Sequence, residues 1–318
     1  MNDELLPNEP ERKSDKTLII VSIVAAILVL AVGITYLVTR PEADQLQKTA
    51  ALTSCPKANK QYPGHCIGSN ISQLSLQPNV PGTYQFAILD DQGKPIKDFE
   101  TVHEKKMHVM VVRKDTAYFQ HIHPTFDEQT GVWTLNELTI PTDGPYRLFA
   151  DFTEGGAKSA ITIYEDFNVG DMAKYQKQPM GDTKEDKTFG KYQALLQTDP
   201  IVLQAGTAAK LAYLFGDSQK SGMPLTGLQP YLGAMGHAVI LSEDLDFIHA
   251  HAKDDKVLAS RGVVEFMANF PKEGKYKIFG QFQHDGEVFT TDFVLPVYEN
   301  LSPADQRINS GDDVHSGH

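Results

Sequence analysis

The feature that most constrains this chain is an internal duplication. The run PTDGPYRLFADF (Pro141–Phe152) returns as PKEGKYKIFGQF (Pro271–Phe282). Upstream, MHVMVV (107–112) matches GHAVIL (236–241), and FQHIH (119–123) matches FIHAH (247–251). Self-similarity at a nearly constant offset means that one supersecondary unit is built twice, so any fold proposed must serve both copies. The first copy is read as 72–169 and the second as 192–299. A polar, Gly- and Lys-rich linker spans 170–191, and a polar tail over 300–318 is expected to be disordered.

Inside each copy, short alternating apolar runs such as TYQFAILD, YRLFADF and ITIYEDFNV are separated by turn clusters every ten or so residues. That spacing predicts antiparallel strands rather than βαβ units. Each copy of about a hundred residues suits a seven-stranded sandwich. The expected fold is therefore all-β: two tandem immunoglobulin- or cupredoxin-like sandwiches, each with its own core and able to fold alone.

Ahead of the copies lies LIIVSIVAAILVLAVGITYLV (Leu18–Val38), 21 residues without a charge. At about 1.5 Å per residue it spans a hydrocarbon layer of roughly 30 Å. It is longer than a signal-peptide core, and no small-x-small cleavage site follows it. Arg12, Lys13 and Lys16 precede it, against Arg40 and Lys48 after it. The positive-inside rule then leaves residues 1–17 in the cytoplasm and everything after Val38 outside. The expected location is the cytoplasmic membrane, single-pass, with a stalk over 39–71. The only cysteines, Cys55 and Cys66, fall in that stalk, where an oxidising compartment favours a disulfide between them. The formal charge of −12, with no cluster of Lys and Arg in the body of the chain, excludes nucleic acid as a partner. No motif names a protein partner.

The chemistry of the chain lies in the duplicated histidines. Pairing Val112 with Ala117 across one hairpin sets His108 opposite His121; pairing Leu241 with Leu245 across the other sets His237 opposite His249. Opposed residues share a face, and His123 and His251, two residues on, return to it. Phe119, Met110 and Val112, and Phe247, Val239 and Leu241, share that face, so the trios are expected to cap one end of each sandwich core. Three imidazoles on rigid strands in an apolar shell suit a metal ion. His108, His121 and His123, and His237, His249 and His251, are the candidate ligands, and copper or zinc the candidate ion. Met107 and Met235 adjoin the first histidine of each trio, and a thioether would favour copper. His103, His284, His315 and His318 are read as outside the sites. Affinity is expected to fall as pH drops through the ordinary imidazole value of ~6.5.

These strands resemble a group of exported bacterial domains with His-x-His or His-x-His-Pro strands and the copper-resistance type of periplasmic sandwich (CopC-like and YtkA-like). The resemblance covers residues from about Tyr84 to Tyr298. It implies metal handling outside the cytoplasm; Pro124 completes the longer motif in the first copy, whereas Ala252 stands there in the second. The resulting expectation is a membrane-anchored metal binder for sequestration, sensing or delivery. Structural histidines in a surface interaction module are the alternative, and a copper redox enzyme is the least favoured. Neither copy has a cysteine for a blue-copper thiolate or a carboxylate at fixed spacing to act as a base. The orientation is open to test: protease added to intact spheroplasts should degrade the sandwich segments, and their protection would reverse it.

Overall fold

A computed structural model describes residues 62, 64–71, 74–220 and 223–310. The segment Leu18–Val38 and Cys55 lie outside these residues. No helix among the described residues is long and apolar enough to cross a membrane. Cys66 is disulfide-bonded.

The first copy is two four-stranded sheets face to face. One runs β1 (Cys66–Ser69), β2 (Gly82–Leu89), β6 (Val132–Leu138), β5 (Thr125–Asp127). The other runs β4 (Phe119–Ile122), β3 (Met107–Arg113), β7 (Gly144–Phe152), β8 (Ile161–Val169). The second copy repeats the plan. One sheet holds β13 (Met223–Pro224), β12 (Ala208–Asp217), β10 (Tyr192–Asp199) and β9 (Asp186–Phe189), with β17 (Val263–Asn269) also on β12. The other runs β11 (Leu203–Gln204), β19 (Glu287–Tyr298), β18 (Gly274–His284), β15 (His237–Ser242), β16 (Phe247–His251), with β14 (Leu228–Gln229) on β18. The antiparallel sandwich expected for each copy is therefore observed. Three details differ from the sequence reading. Strand β1, inside the stalk as read, is hydrogen-bonded to β2. Strand β9, inside the linker as read, extends the second copy's sheet along β10. Pro303–Ser310, in the tail expected to lack structure, is helical, and the Asn309 side chain exchanges hydrogen bonds with the backbone of Val202.

The same corner closes both sandwiches. The hydroxyl of Tyr146 donates to the carbonyl of Thr142 at 2.9 Å, and that of Tyr276 donates to the carbonyl of Lys272 at 2.9 Å. Each tyrosine follows two residues after a glycine with positive φ, Gly144 at 142° and Gly274 at 131°. Side chains rarely adopt that conformation, so glycine stands there in both copies. The tyrosine-to-backbone bond is the device by which immunoglobulin-like sandwiches pin a strand entering the sheet.

Alternation then divides the histidine strands between two cores. On β3, Met107, Val109 and Val111 enter the first sandwich with Tyr84, Phe86, Trp133 and Leu148. On β15, Ala238 and Ile240 enter the second with Tyr213, Phe266 and Phe282. The opposite faces do not cap these cores. Met110, Val112, Phe149, Val239, Leu241, Leu245 and Phe279 form a third apolar cluster, with Phe119 and Phe247 packed on it, made by both copies. The two histidine-bearing sheets are docked on each other. That corrects the expected position of the histidines, and the reason is legible: every residue of Met107–Arg113 is buried, as a strand covered on both faces must be.

The docking has approximate twofold symmetry. Phe119 stacks on Phe279 with ring centroids 4.4 Å apart, and Phe247, its counterpart, stacks on Phe149 at 4.8 Å. Each copy thus offers the same patch to the other, as in an isologous dimer. The copies therefore share an apolar interface in addition to their separate cores. Phe279→Ala should cost about 3 kcal/mol or more, the range for a buried phenylalanine, read by chemical denaturation. A fragment of 192–299 alone, with Val239, Leu241, Phe247 and Phe279 uncovered, should aggregate or self-associate in size-exclusion chromatography.

Candidate metal centre

The hairpins that carry the histidines are longer at the turn than the sequence reading placed them. Val112 pairs with Phe119 and Met110 with His121; Leu241 pairs with Phe247, Val239 with His249, and His237 with His251. Both registers are therefore two residues from the expected ones. His108 does not face His121, nor His237 face His249. The turns explain the shift. Asp115 Oδ1 accepts from Arg113 Nε at 2.8 Å and from the Ala117 amide at 3.1 Å, with Thr116 in the left-handed region at φ 60°. In the second copy Ser242 Oγ accepts from the Asp246 amide at 2.9 Å, with Leu245 at φ 65°. Each side chain organises a wider loop than a minimal hairpin needs. A slip of two leaves every side chain on its own face, so the convergence survives the error.

The geometry within each trio is set by hydrogen bonds that point outward. His108 Nε2 lies 3.2 Å from the carbonyl of Val102, and His237 Nε2 lies 2.9 Å from that of Tyr231. Those carbonyls belong to equivalent tight turns, bridged Val102 to Lys105 and Tyr231 to Ala234. His121 Nδ1 lies 2.7 Å from Gln281 Oε1, and His249 Nδ1 lies 2.8 Å from Asp151 Oδ2. In a neutral imidazole the nitrogen that donates carries the only proton. The network therefore assigns lone pairs to His108 Nδ1, His121 Nε2, His237 Nδ1 and His249 Nε2.

In the first trio two of these lone pairs face each other, with a ring nitrogen of His123 alongside. His108 Nδ1 is 3.1 Å from His121 Nε2 and 3.2 Å from His123 Nε2. In the second copy His237 Nδ1, His249 Nε2 and His251 Nε2 are buried and have no hydrogen-bond partner. The ligand atoms of each trio lie within 4.8 Å of one another. Lone pairs in contact repel, and a buried polar atom without a partner is costly. A cation between the nitrogens relieves both. Tetrahedral bonds of about 2.0 Å put ligand nitrogens about 3.3 Å apart, close to the spacing in the first trio.

A proton is a poor candidate for that cation. Burial, followed by the neighbouring imidazoles, pushes His121 down to about 2 and His123 to about 3. Burial also takes His237 to about 3 and His251 to about 2, with His249 as the next cause. His108 falls to about 4, mainly by burial and against its bond to Val102. At neutral pH these rings are neutral and able to ligate. The competition from protons expected near 6.5 therefore moves to lower pH.

Several participants escaped the sequence reading. Asp151 and Gln281 occupy the same position in the two copies of the β7 and β18 motif, and each holds a histidine of the other copy. Their signal was present, as polar residues recurring inside an apolar strand. Asp151 is further fixed by Thr162 Oγ1, which donates to its Oδ1 at 2.6 Å. His103, read as outside the sites, stacks on His251 at 3.8 Å and stands edge-on to His237 at 5.2 Å. It has no twin in the duplication, so pattern did not mark it. Met107 and Met235, expected to offer thioethers, point into the two sandwich cores instead. His284, read as outside the sites, is away from the trios, half-buried and bound to the carbonyl of Thr226 at 3.0 Å. His315 and His318 lie outside the described residues.

One family model, described as a domain of unknown function (DUF8832), matches residues 68–168 and again 187–299. No curated protein matches the chain. Among solved structures, CopC from Methylosinus trichosporium OB3b is 19% identical over 34% of this chain and 99% of its own, with a TM-score of 0.24. Domains 4 and 5 of the S-layer protein SbsC are 10% identical over 71% of this chain and 92% of that one, with a TM-score of 0.22. Invasin, described as a bacterial integrin-binding protein, is 15% identical over 69% and 37%, with a TM-score of 0.21. At such TM-scores these likenesses carry no argument about the site.

The lowered histidine values fix a direction for stability. Unfolded, these imidazoles take up protons below their ordinary value of 6.5; folded, they do so only near 4 and below. Folding therefore gains from them fully above pH 6.5 and loses that contribution as pH falls toward 4. The melting temperature of the metal-free chain should decline through that window. A melting temperature flat from pH 7 to 4.5 would contradict the burial of neutral rings.

Proposed function

The chain belongs to the DUF8832 family, whose domain it carries twice, and we propose that it binds metal ions in its two histidine trios. One observation carries this reading: in both copies, hydrogen bonds from outside the trio turn two imidazole lone pairs inward, toward a third histidine whose ring nitrogen lies beside them. Structural histidines would use those nitrogens to donate or accept. Here the outward nitrogens of four rings are satisfied from outside, and the inward nitrogens of the second trio have no hydrogen-bond partner.

All-nitrogen trios suit copper and zinc alike. With Met107 and Met235 turned away, the thioether argument for copper lapses. Copper stays ahead of zinc because a nitrogen site binds Cu(II) more tightly than Zn(II). The apolar segment Leu18–Val38 and the charge bias around it support an anchor in the cytoplasmic membrane with both sandwiches outside. Sequestration, sensing or delivery of the ion is the role this combination fits.

Elemental analysis of the full-length chain after exposure to copper and to zinc salts, followed by desalting, tests the proposal. Retained metal is expected. His123→Ala and His251→Ala, which remove inward nitrogens without touching the bonds to Gln281 or Asp151, should each weaken the ion of their own trio by roughly tenfold or more. A chain that leaves both salts free of metal, with its fold intact by circular dichroism, overturns the reading.

A further inference from the structure

Docking the sheets brings the trios themselves together. The ring of His108 lies 5.7 Å from that of His249 and 6.2 Å from that of His237. The ring of His121 lies 6.3 Å from both. A ligated ion sits roughly 3 Å from the centre of its imidazole. Summing along His108 and His249, two bound ions would be separated by no more than about 12 Å. A cavity of about 40 Å³ lies between, lined by His103, His108 and Asp151 from the first copy and His249 and His251 from the second.

The surroundings of the trios are not symmetric. The second copy's His249 bonds a carboxylate, Asp151, whereas the first copy's His121 bonds a neutral amide, Gln281. A carboxylate behind a ligating histidine raises its basicity and supplies counter-charge. His103 of the first copy covers His251, while its counterpart Leu232 brings no nitrogen to the first trio. Lys105 lines the cavity too and adds positive charge near His123 of the first trio, while Lys106 is paired with Glu128 at 3.0 Å.

We infer that the six histidines form a single two-ion centre across the interface between the copies, in which the trio His237, His249 and His251 fills first and its ion opposes the second. This rests on the metal-binding reading above. The order follows from Asp151, which lowers the cost of a cation in the second copy's trio. The opposition follows from Coulomb repulsion, which water screens poorly where both ions are buried. Neither copy alone makes its own complete site, because each trio is oriented by a residue of the other.

Titration of the full-length chain with Cu(II), followed by electron paramagnetic resonance and by competition with a chelator, tests this. The first equivalent should bind at least tenfold tighter than the second. At two equivalents the spectrum should show dipolar broadening and a half-field signal from two nearby spins. Asp151→Asn, which keeps an acceptor oxygen but removes the charge, should weaken the first ion by roughly 10–100-fold although Asp151 belongs to the other copy. Gln281→Glu, which adds a charge behind the first trio, should narrow the gap between the two affinities. Should Asp151→Asn melt far below the parent chain, Gln281→Glu and the spectrum of the unaltered chain still decide. Two equivalents bound with equal affinity and non-interacting spins would overturn the shared centre and leave metal binding standing. Absence of any bound Cu(II) or Zn(II) would remove both.

Discussion

The contact on which the rest of this structure depends is the packing of one histidine-bearing sheet against the other. Phe119 on Phe279 and Phe149 on Phe247 fix the distance and register between the copies. Around them Met110, Val112, Val239 and Leu241 exclude water. The histidines sit at the end of this apolar seam, which is why His108, His121 and His237 are buried and burial holds their imidazoles well below the ordinary value. Without the seam each trio would lie on an exposed sheet face, its imidazoles hydrated and free to protonate. Its supporting Asp151 or Gln281 would be absent.

Duplication makes that contact inexpensive to build. A single face, repeated, can pack on itself about a twofold axis, so one set of side chains provides both halves of the interface. The pairs Phe119·Phe279 and Phe247·Phe149 are one contact seen twice. So are His121·Gln281 and His249·Asp151. Once both halves lie in one chain they are free to diverge, and the polar position has done so, as Gln281 in one copy and Asp151 in the other. The outer turns kept their form: Val102 and Tyr231 each present a carbonyl to the first histidine of a trio. Around the trios, the side-chain partner of the second histidine differs between the copies, while the backbone carbonyl that holds the first is alike.

The convergence of the candidate histidines was largely legible in the sequence, for a physical reason. Side chains alternate along a strand, so His121 and His123 must share a face, and a two-residue error in the hairpin turn changes which histidines are opposite without changing which face they use. That error came from the loops, where Asp115 and Ser242 hold wider turns than the shortest hairpin. The misplaced surroundings have a different origin. The run Met107–Val112 is apolar at almost every position, and its continuity already signalled burial on both sides; reading it as one-sided assigned the histidines to the wrong core.

What the sequence by itself determined is local and periodic: two sandwiches, the strands that carry the trios, the common face of the three rings in each, and the ligand chemistry of those rings. Tertiary structure alone decided what covers that face. Alternation separates the two sides of a strand but is silent about their neighbours, because those neighbours come from far along the chain. His121 meets Gln281, 160 residues away, and His249 meets Asp151, 98 residues away. No local pattern encodes such pairs. They exist because the apolar outer face of each histidine-bearing sheet packs on the equivalent face of the other, and burying both brought the two trios to one place.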